Sequence, residues 1–274
     1  MHNDLFTIGN FTIHGYGLMI GIGIIAAYLM TEHLAKKKKM DPDPVFSLLV
    51  FGVLGGIAGA KVLYWITVLG DIIQDPSLIF RTLGDGFVVY GGIIGGILAG
   101  YIVCRVKKLG FWDYLDCATP SIALAQGFGR IGCLLAGCCY GMETDGWCAI
   151  TFTNSQFAPN NVPLIPTQIF SSVFDFAHFA LLYVITRRSK VSGFTSALYL
   201  IIYGVGRFII EFFRGDMIRG SVGDLSTSQF ISIFIVAFGV LLMMKKLRDK
   251  KHQQSAQESL ENIEEISENI EKNH

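Results

Sequence analysis

The sequence predicts an all-α integral membrane protein of about seven transmembrane helices, with the N-terminus outside and the C-terminus in the cytoplasm. Three observations predict it. Hydrophobic residues make up 51% of the 274 residues and charged ones 16%, and the mean hydropathy is +0.49, too apolar for a water-soluble domain of this length. Apolar windows of about 20 residues, the length that crosses a ~30 Å hydrocarbon core, recur between charged or turn-rich segments. The basic residues between these windows alternate in density from one connection to the next.

Seven windows qualify: His14 to Met30, Val45 to Leu69, Gly86 to Cys104, Cys117 to Cys139, Thr167 to Thr186, Gly193 to Phe213 and Thr227 to Met244. The fourth is the least regular, because Pro120, Gln126, Arg130 and several glycines interrupt its apolar run. Basic residues crowd the segments after spans one, three, five and seven. They are Lys36, Lys37, Lys38 and Lys39; Arg105, Lys107 and Lys108; Arg187, Arg188 and Lys190; and Lys245, Lys246, Arg248, Lys250 and Lys251. The opposite segments hold only Arg81, Arg214 and Arg219. Cytoplasmic loops retain Lys and Arg, which sets the orientation. The first apolar run follows Asp4 and no basic residue, and no small-x-small site closes it, so it is expected to stay as a span.

Residues 1–251 are expected to form one polytopic domain. Within it, the segment 140–166, punctuated by Gly146, Pro159, Pro163 and Pro166, should make a small outer-face cap. Residues 252–274 form an acidic cytoplasmic tail. There Leu260, Ile263, Ile266 and Ile270 recur at helical spacing among glutamates, which suits either a short amphipathic helix or, as favoured here, a solvated extension. Of the six cysteines, Cys133, Cys138, Cys139 and Cys148 cluster towards the outer face, where oxidising chemistry is available. Their C-x4-C-C-x8-C spacing lacks the paired knuckles of structural zinc sites. The expectation is therefore no metal, and either a disulfide from Cys148 to Cys138 or Cys139 or buried thiols packing as small hydrophobes.

Function shows where apolar spans carry charge, since an ionised group near the bilayer centre costs about 3 kcal/mol and persists only with a partner or a task. Lys61, Arg130, Arg207 and Glu211 are the clear cases, with Asp175 and His178 on one face of span five. Arg207 and Glu211 lie four apart, so an internal ion pair is one reading. The excess of cations over the single nearby carboxylate gives the other, an anion site for a lipid phosphate. Arginine suits it, because its planar fork binds phosphate oxygens in pairs and stays charged. Glycines along spans two and three (Gly52, Gly55, Gly56, Gly59; Gly91, Gly92, Gly95, Gly96, Gly100) suit close helix packing. Around Arg130 the run GFGRIG reads as an interrupted helix lining a polar cavity. No nucleotide-binding loop and no internal repeat are present, which disfavours ATP-driven transport and repeat-built transporters.

Several motifs occur in a fixed order: His14-Gly-Tyr16-Gly-Leu-Met, GGIAGAK ending at Lys61 with Tyr64 after it, YGG at Tyr90, GFGRIG around Arg130, PTQ at Pro166, and YGVGRFIIEFFRGD from Tyr203 to Asp216. Together, from Tyr16 to Gln229, the chain resembles the bacterial prolipoprotein diacylglyceryl transferases. The resemblance implies a multi-pass protein of the bacterial plasma membrane, without a cofactor or a nucleic-acid partner. It would move the diacylglyceryl group of phosphatidylglycerol onto the thiol of a lipobox cysteine in a preprolipoprotein signal peptide, releasing glycerol phosphate. Arg130, Arg207, Tyr90 and Glu211 become the expected catalytic residues, and Tyr16, Lys61, Arg130, Tyr203 and Arg207 the expected phosphatidylglycerol contacts.

The chain departs from the family pattern at four positions. Lys61 stands where arginine is usual, Tyr90 where a histidine proposed as the base is common, and Cys133 and Cys138 where asparagine and glutamate often follow GRIG. A phenol ionises near pH ~10, so Tyr90 needs cations nearby to act as a base. Alternatives of other classes are a related head-group or diacylglyceryl transferase with another acceptor, and a non-enzymatic lipid-binding or transport protein.

Overall fold

The computed structural model describes residues 4–8, 11–216, 221–223 and 225–272. Arg219 of the expected outer segments lies outside the described residues. In chain order the elements are β1 (Asp4–Ile8), β2 (Phe11–His14), α1 (Gly15–Lys37), α2 (Pro44–Thr67), α3 (Leu69–Gln74), α4 (Leu78–Arg81), α5 (Val89–Val106) and α6 (Phe111–Ala136). They continue with β3 (Ile150–Thr151), β4 (Pro163–Leu164), α7 (Thr167–Arg188), α8 (Phe194–Glu211), β5 (Ser221–Val222), β6 (Leu225–Ser226) and α9 (Thr227–Lys272). The strands form three antiparallel two-stranded pairs, β1 with β2, β3 with β4 and β5 with β6.

Six of the described helices are long and apolar enough to cross a membrane: α1, α2, α5, α7, α8 and Thr227–Ser255 of α9. The protein is an all-α, multi-pass membrane protein. The fourth expected span corresponds to α6, whose 26 residues rise about 39 Å but which carries Asp113, Asp116, Gln126 and Arg130 and is too polar to count with the six. One expectation is corrected here. The run GFGRIG does not break the helix, and α6 passes through it unbroken, with Pro120 inside, to Ala136. Its glycines serve packing instead: a side chain at Gly127 would meet the Phe176 ring at 2.7 Å, and one at Gly132 would meet Tyr16 at 3.2 Å. The chain turns only at Gly137, whose φ of +77° suits glycine.

The tail is helical in backbone, since α9 runs on to Lys272. The side chains of Leu260, Ile263, Ile266 and Ile270 lie outside the described set.

The chain divides into two compact units, residues 28–117 and residues 1–27 with 118–274. In the first, α2 and α5 meet through their glycine faces. A side chain at Gly59 would strike the Gly91 carbonyl, one at Gly95 the Gly55 carbonyl, and one at Gly55 would lie 2.8 Å from the Gly95 carbonyl. Backbones this close are what small residues in membrane helices permit. Beside them Ala35, Val45, Cys104 and Tyr114 form a buried cluster, and Tyr114 donates its hydroxyl to the Asp41 carbonyl at 2.7 Å.

In the second unit α8 packs on α9 and α7, again over glycines: Gly204 against Val236, Gly239 against the Ala197 carbonyl and Gly206 against the Phe174 ring. The segment after α6 folds on a small core of Phe152, Ala158 and Leu164, joined by Leu134, Tyr140, Ile150 and Val162. Its start is stitched to the end of α8. Met142 donates its backbone N–H to the Phe213 carbonyl at 2.9 Å, and Gly215 donates to the Tyr140 carbonyl at 3.1 Å.

Candidate active site

Arg207 and Glu211 sit one turn apart in the last turns of α8, so their side chains share a face. Arg207 Nη2 lies 2.7 Å from Glu211 Oε2 and donates to Ser228 Oγ, at the start of α9, at 2.8 Å. Arg214 follows three residues after Glu211, and its Nε is 3.9 Å from the same carboxylate oxygen. Arg214 also grips Asp216 with both prongs, the Nε to Oδ1 bond measuring 2.8 Å. Arg130, on α6, meets Asp175 of α7 only at the limit of ion-pair contact, with 4.0 Å between Nε and Oδ2. Arg207 lies within electrostatic reach of both other arginines.

This geometry corrects the expected excess of cations. Glu211, Asp216 and Asp175 give each of the three arginines a carboxylate. What remains for an external anion is donor capacity rather than net charge, since a guanidinium has five N–H groups. Both contacts of Arg207 use Nη2, and Arg130 touches Asp175 through Nε alone, so their remaining edges have no partner among the described residues. Arg130 retains 26% side-chain exposure against 12% for Arg207.

Aromatic groups line the same unit. Tyr203 stacks on Tyr199 with centroids 5.7 Å apart, and Tyr199 stacks on His178 at 5.2 Å. Tyr199 donates its hydroxyl to Gln126 Oε1 at 3.0 Å. Asp175 and His178 thus share a face but split their contacts, one meeting Arg130 and the other the tyrosine stack, with both imidazole nitrogens lacking a hydrogen-bond partner among the described residues. Tyr16, in the first turn of α1, lies against Gly132 of α6, half a turn past Arg130.

Lys61 and Tyr90 belong to the other unit. Lys61 is 7% exposed, and its ammonium donates to the carbonyls of Thr82, of Asp85 at 2.6 Å and of Gly86 at 3.4 Å. The rings of Tyr64, Trp65 and Phe87 surround it at 4.9 to 5.6 Å. Its donors therefore hold the 82–86 loop. Tyr90 is the second residue of α5 and is 40% exposed.

Arg214, Asp216 and Ser228 were not singled out as site residues from the sequence. The i to i+3 spacing from Glu211 could have found Arg214. Nothing local marks Ser228, which reaches Arg207 only because α9 packs on α8.

Of the two alternatives expected for the cysteines, the free thiols are what the structure has, with Cys133 buried. No disulfide joins any of the six, so the expected bond from Cys148 to Cys138 or Cys139 is absent. Instead the sulfurs of Cys133, Cys138 and Cys139 all lie within 4.8 Å of one another, and Cys148 is outside the group. The turn after α6 causes this. Gly137 and Cys139 both take positive φ, +77° and +59°, folding the chain back so that the N–H of Cys138 bonds the Cys133 carbonyl at 3.1 Å.

Comparison with known proteins agrees with the motifs. The family model described as prolipoprotein diacylglyceryl transferase matches residues 3–245. A Clostridium tetani protein named phosphatidylglycerol–prolipoprotein diacylglyceryl transferase is 49% identical over 240 residues, covering 87% of this chain and 95% of its own length. A Clostridium perfringens protein of the same name, numbered 2, is 51% identical over 241 residues, covering 87% and 93%. A Finegoldia magna protein is 34% identical over 246 residues, covering 89% and 96%. The motifs, the membrane helices and a match along nearly the whole length agree, and the chain belongs to the prolipoprotein diacylglyceryl transferase family.

Proposed function

We propose that this chain transfers the diacylglyceryl group of phosphatidylglycerol to the lipobox cysteine thiol of preprolipoproteins, the first step of bacterial lipoprotein maturation. The observation that carries the reading is the arginine cluster, built on the family's own motifs, with guanidinium edges left over beside a membrane span. In the reaction the thiolate attacks the glyceryl carbon that bears the phosphate. The C–S bond forms as the C–O bond breaks, and the electron pair leaves on glycerol phosphate. Negative charge grows on that phosphate, where preorganised cations contribute most.

In this reading Arg130 and Arg207 hold the phosphate, and Glu211 orients Arg207. Tyr16 and Tyr203 offer hydroxyls to the head group. Lys61 contributes through the loop that its ammonium holds. Tyr90 takes the proton of the incoming thiol, because only the thiolate is a useful nucleophile. The test is release of glycerol phosphate from phosphatidylglycerol by the purified chain. Release is expected only when a lipobox peptide is added, and release that ignores the peptide would contradict the assignment.

The same proposal places residues 1–251 in the membrane domain, with the 140–166 cap and the N-terminus on the outer side and the acidic tail in the cytoplasm. The distribution of basic residues supports it. Fusions of a periplasm-active reporter after Arg81 and after Ser155 should be active, and fusions after Lys108 and after Lys251 inactive. The inverse pattern would overturn the orientation.

A further inference from the structure

We infer that Cys133, Cys138 and Cys139 form a three-thiolate site for a thiophilic divalent cation, zinc first among them, that clamps the turn at the end of α6. Three sulfurs bound to one tetrahedral zinc at ~2.3 Å stand about 3.8 Å apart. The sulfurs here already lie within 4.8 Å of one another, with Cys133 buried in the last turn of α6 and the other two half-buried just beyond it.

The backbone is built to present them. Cys139 holds a left-handed conformation at φ +59°, which costs a non-glycine residue about 1 kcal/mol and persists where surrounding contacts enforce it. Those contacts come from the start of α7. Thr167 donates its hydroxyl to the Cys139 carbonyl at 2.8 Å, and Gln168 donates Nε2 to the Cys138 carbonyl at 2.8 Å. Gln168 is 1% exposed, and its Oε1 is buried without a hydrogen-bond partner among the described residues. That leaves a buried polar acceptor on the residue that holds the cluster's own backbone.

Charge fits as well. Three thiolates and one divalent cation carry a net −1, and Arg214 pairs with Gly141, two residues past Cys139. The sequence hides this site, because C-x4-C-C resembles no zinc knuckle until the turn folds back. The consequence is mechanical. Directly after Cys139 the chain bonds residues 213 to 215, so a metal here fixes the ground on which Arg214 and Glu211 stand.

Zinc binding by the full-length protein, purified under reducing, metal-free conditions and titrated with zinc alone, tests this. One zinc per chain is expected, with a raised melting temperature, and cobalt in its place should give strong thiolate-to-metal charge-transfer absorption. Cys133→Ser, Cys138→Ser or Cys139→Ser should each weaken zinc binding by at least ~10-fold, and Cys148→Ser should leave it unchanged. No zinc uptake by the reduced wild type, or uptake without the thiolate absorption, would overturn the inference even if a serine variant failed to fold. So would equal binding in the Cys139→Ser and wild-type proteins.

Discussion

Replacing Arg207 with lysine should cut turnover by ~100-fold or more, while the protein still inserts and folds. The loss is the size seen when one preorganised donor to a transition-state oxyanion is removed. Arg207 uses one nitrogen for Glu211 and Ser228 and keeps the rest of its fork for a second partner. Lysine restores the charge and can still pair with Glu211, but it is a point charge and cannot grip two phosphate oxygens at once. Arg130→Lys should lose a comparable amount for the same reason, and more cleanly, because its contact with Asp175 at 4.0 Å is weak. Turnover measured on membrane-inserted protein decides the matter. Near-normal rates in Arg207→Lys would make the pair with Glu211 purely structural.

The second large effect is expected at Tyr90. Loss of a general base costs ~100-fold to ~10,000-fold, so Tyr90→Phe should fall by at least ~100-fold at every pH, with phosphatidylglycerol still bound. Tyr90→His, which restores the residue common in the family, should retain or raise activity. Rates for Tyr90→Phe that match wild type across the pH profile would remove Tyr90 from the chemistry. The thiol would then be ionised by the cationic field, with His14 or the phosphate taking the proton.

Much of this architecture was legible in the residues. Span windows and helix positions agree closely for α2, α5, α7 and α8, because charge and turn residues bound them on both sides. The glycine faces of α2 and α5 were readable too, since only close packing demands them at that spacing. The GFGRIG helix was misread for a tertiary reason. Glycine and a charge weaken a local helix signal, and only the packing of Phe176 and Tyr16 into the glycine notches shows what they are for.

The site was partly legible. Arg207 and Glu211 announce themselves by four-residue spacing, whereas Asp175 as the partner of Arg130, and Ser228 as that of Arg207, depend on which helices meet. The thiol cluster was least legible, because it depends on a left-handed Cys139 that no spacing rule anticipates.

The central claim is that this chain alkylates a thiol with the diacylglyceryl group of phosphatidylglycerol. Intact-mass analysis of a lipobox peptide, incubated with the purified protein and phosphatidylglycerol of a single acyl composition, tests it most directly. The account predicts a mass gain of one diacylglyceryl group, placed on the cysteine by fragmentation and matched by one glycerol phosphate released. A peptide with serine in place of that cysteine should stay unmodified. An unmodified cysteine peptide, or equal modification of the serine peptide, would contradict the account.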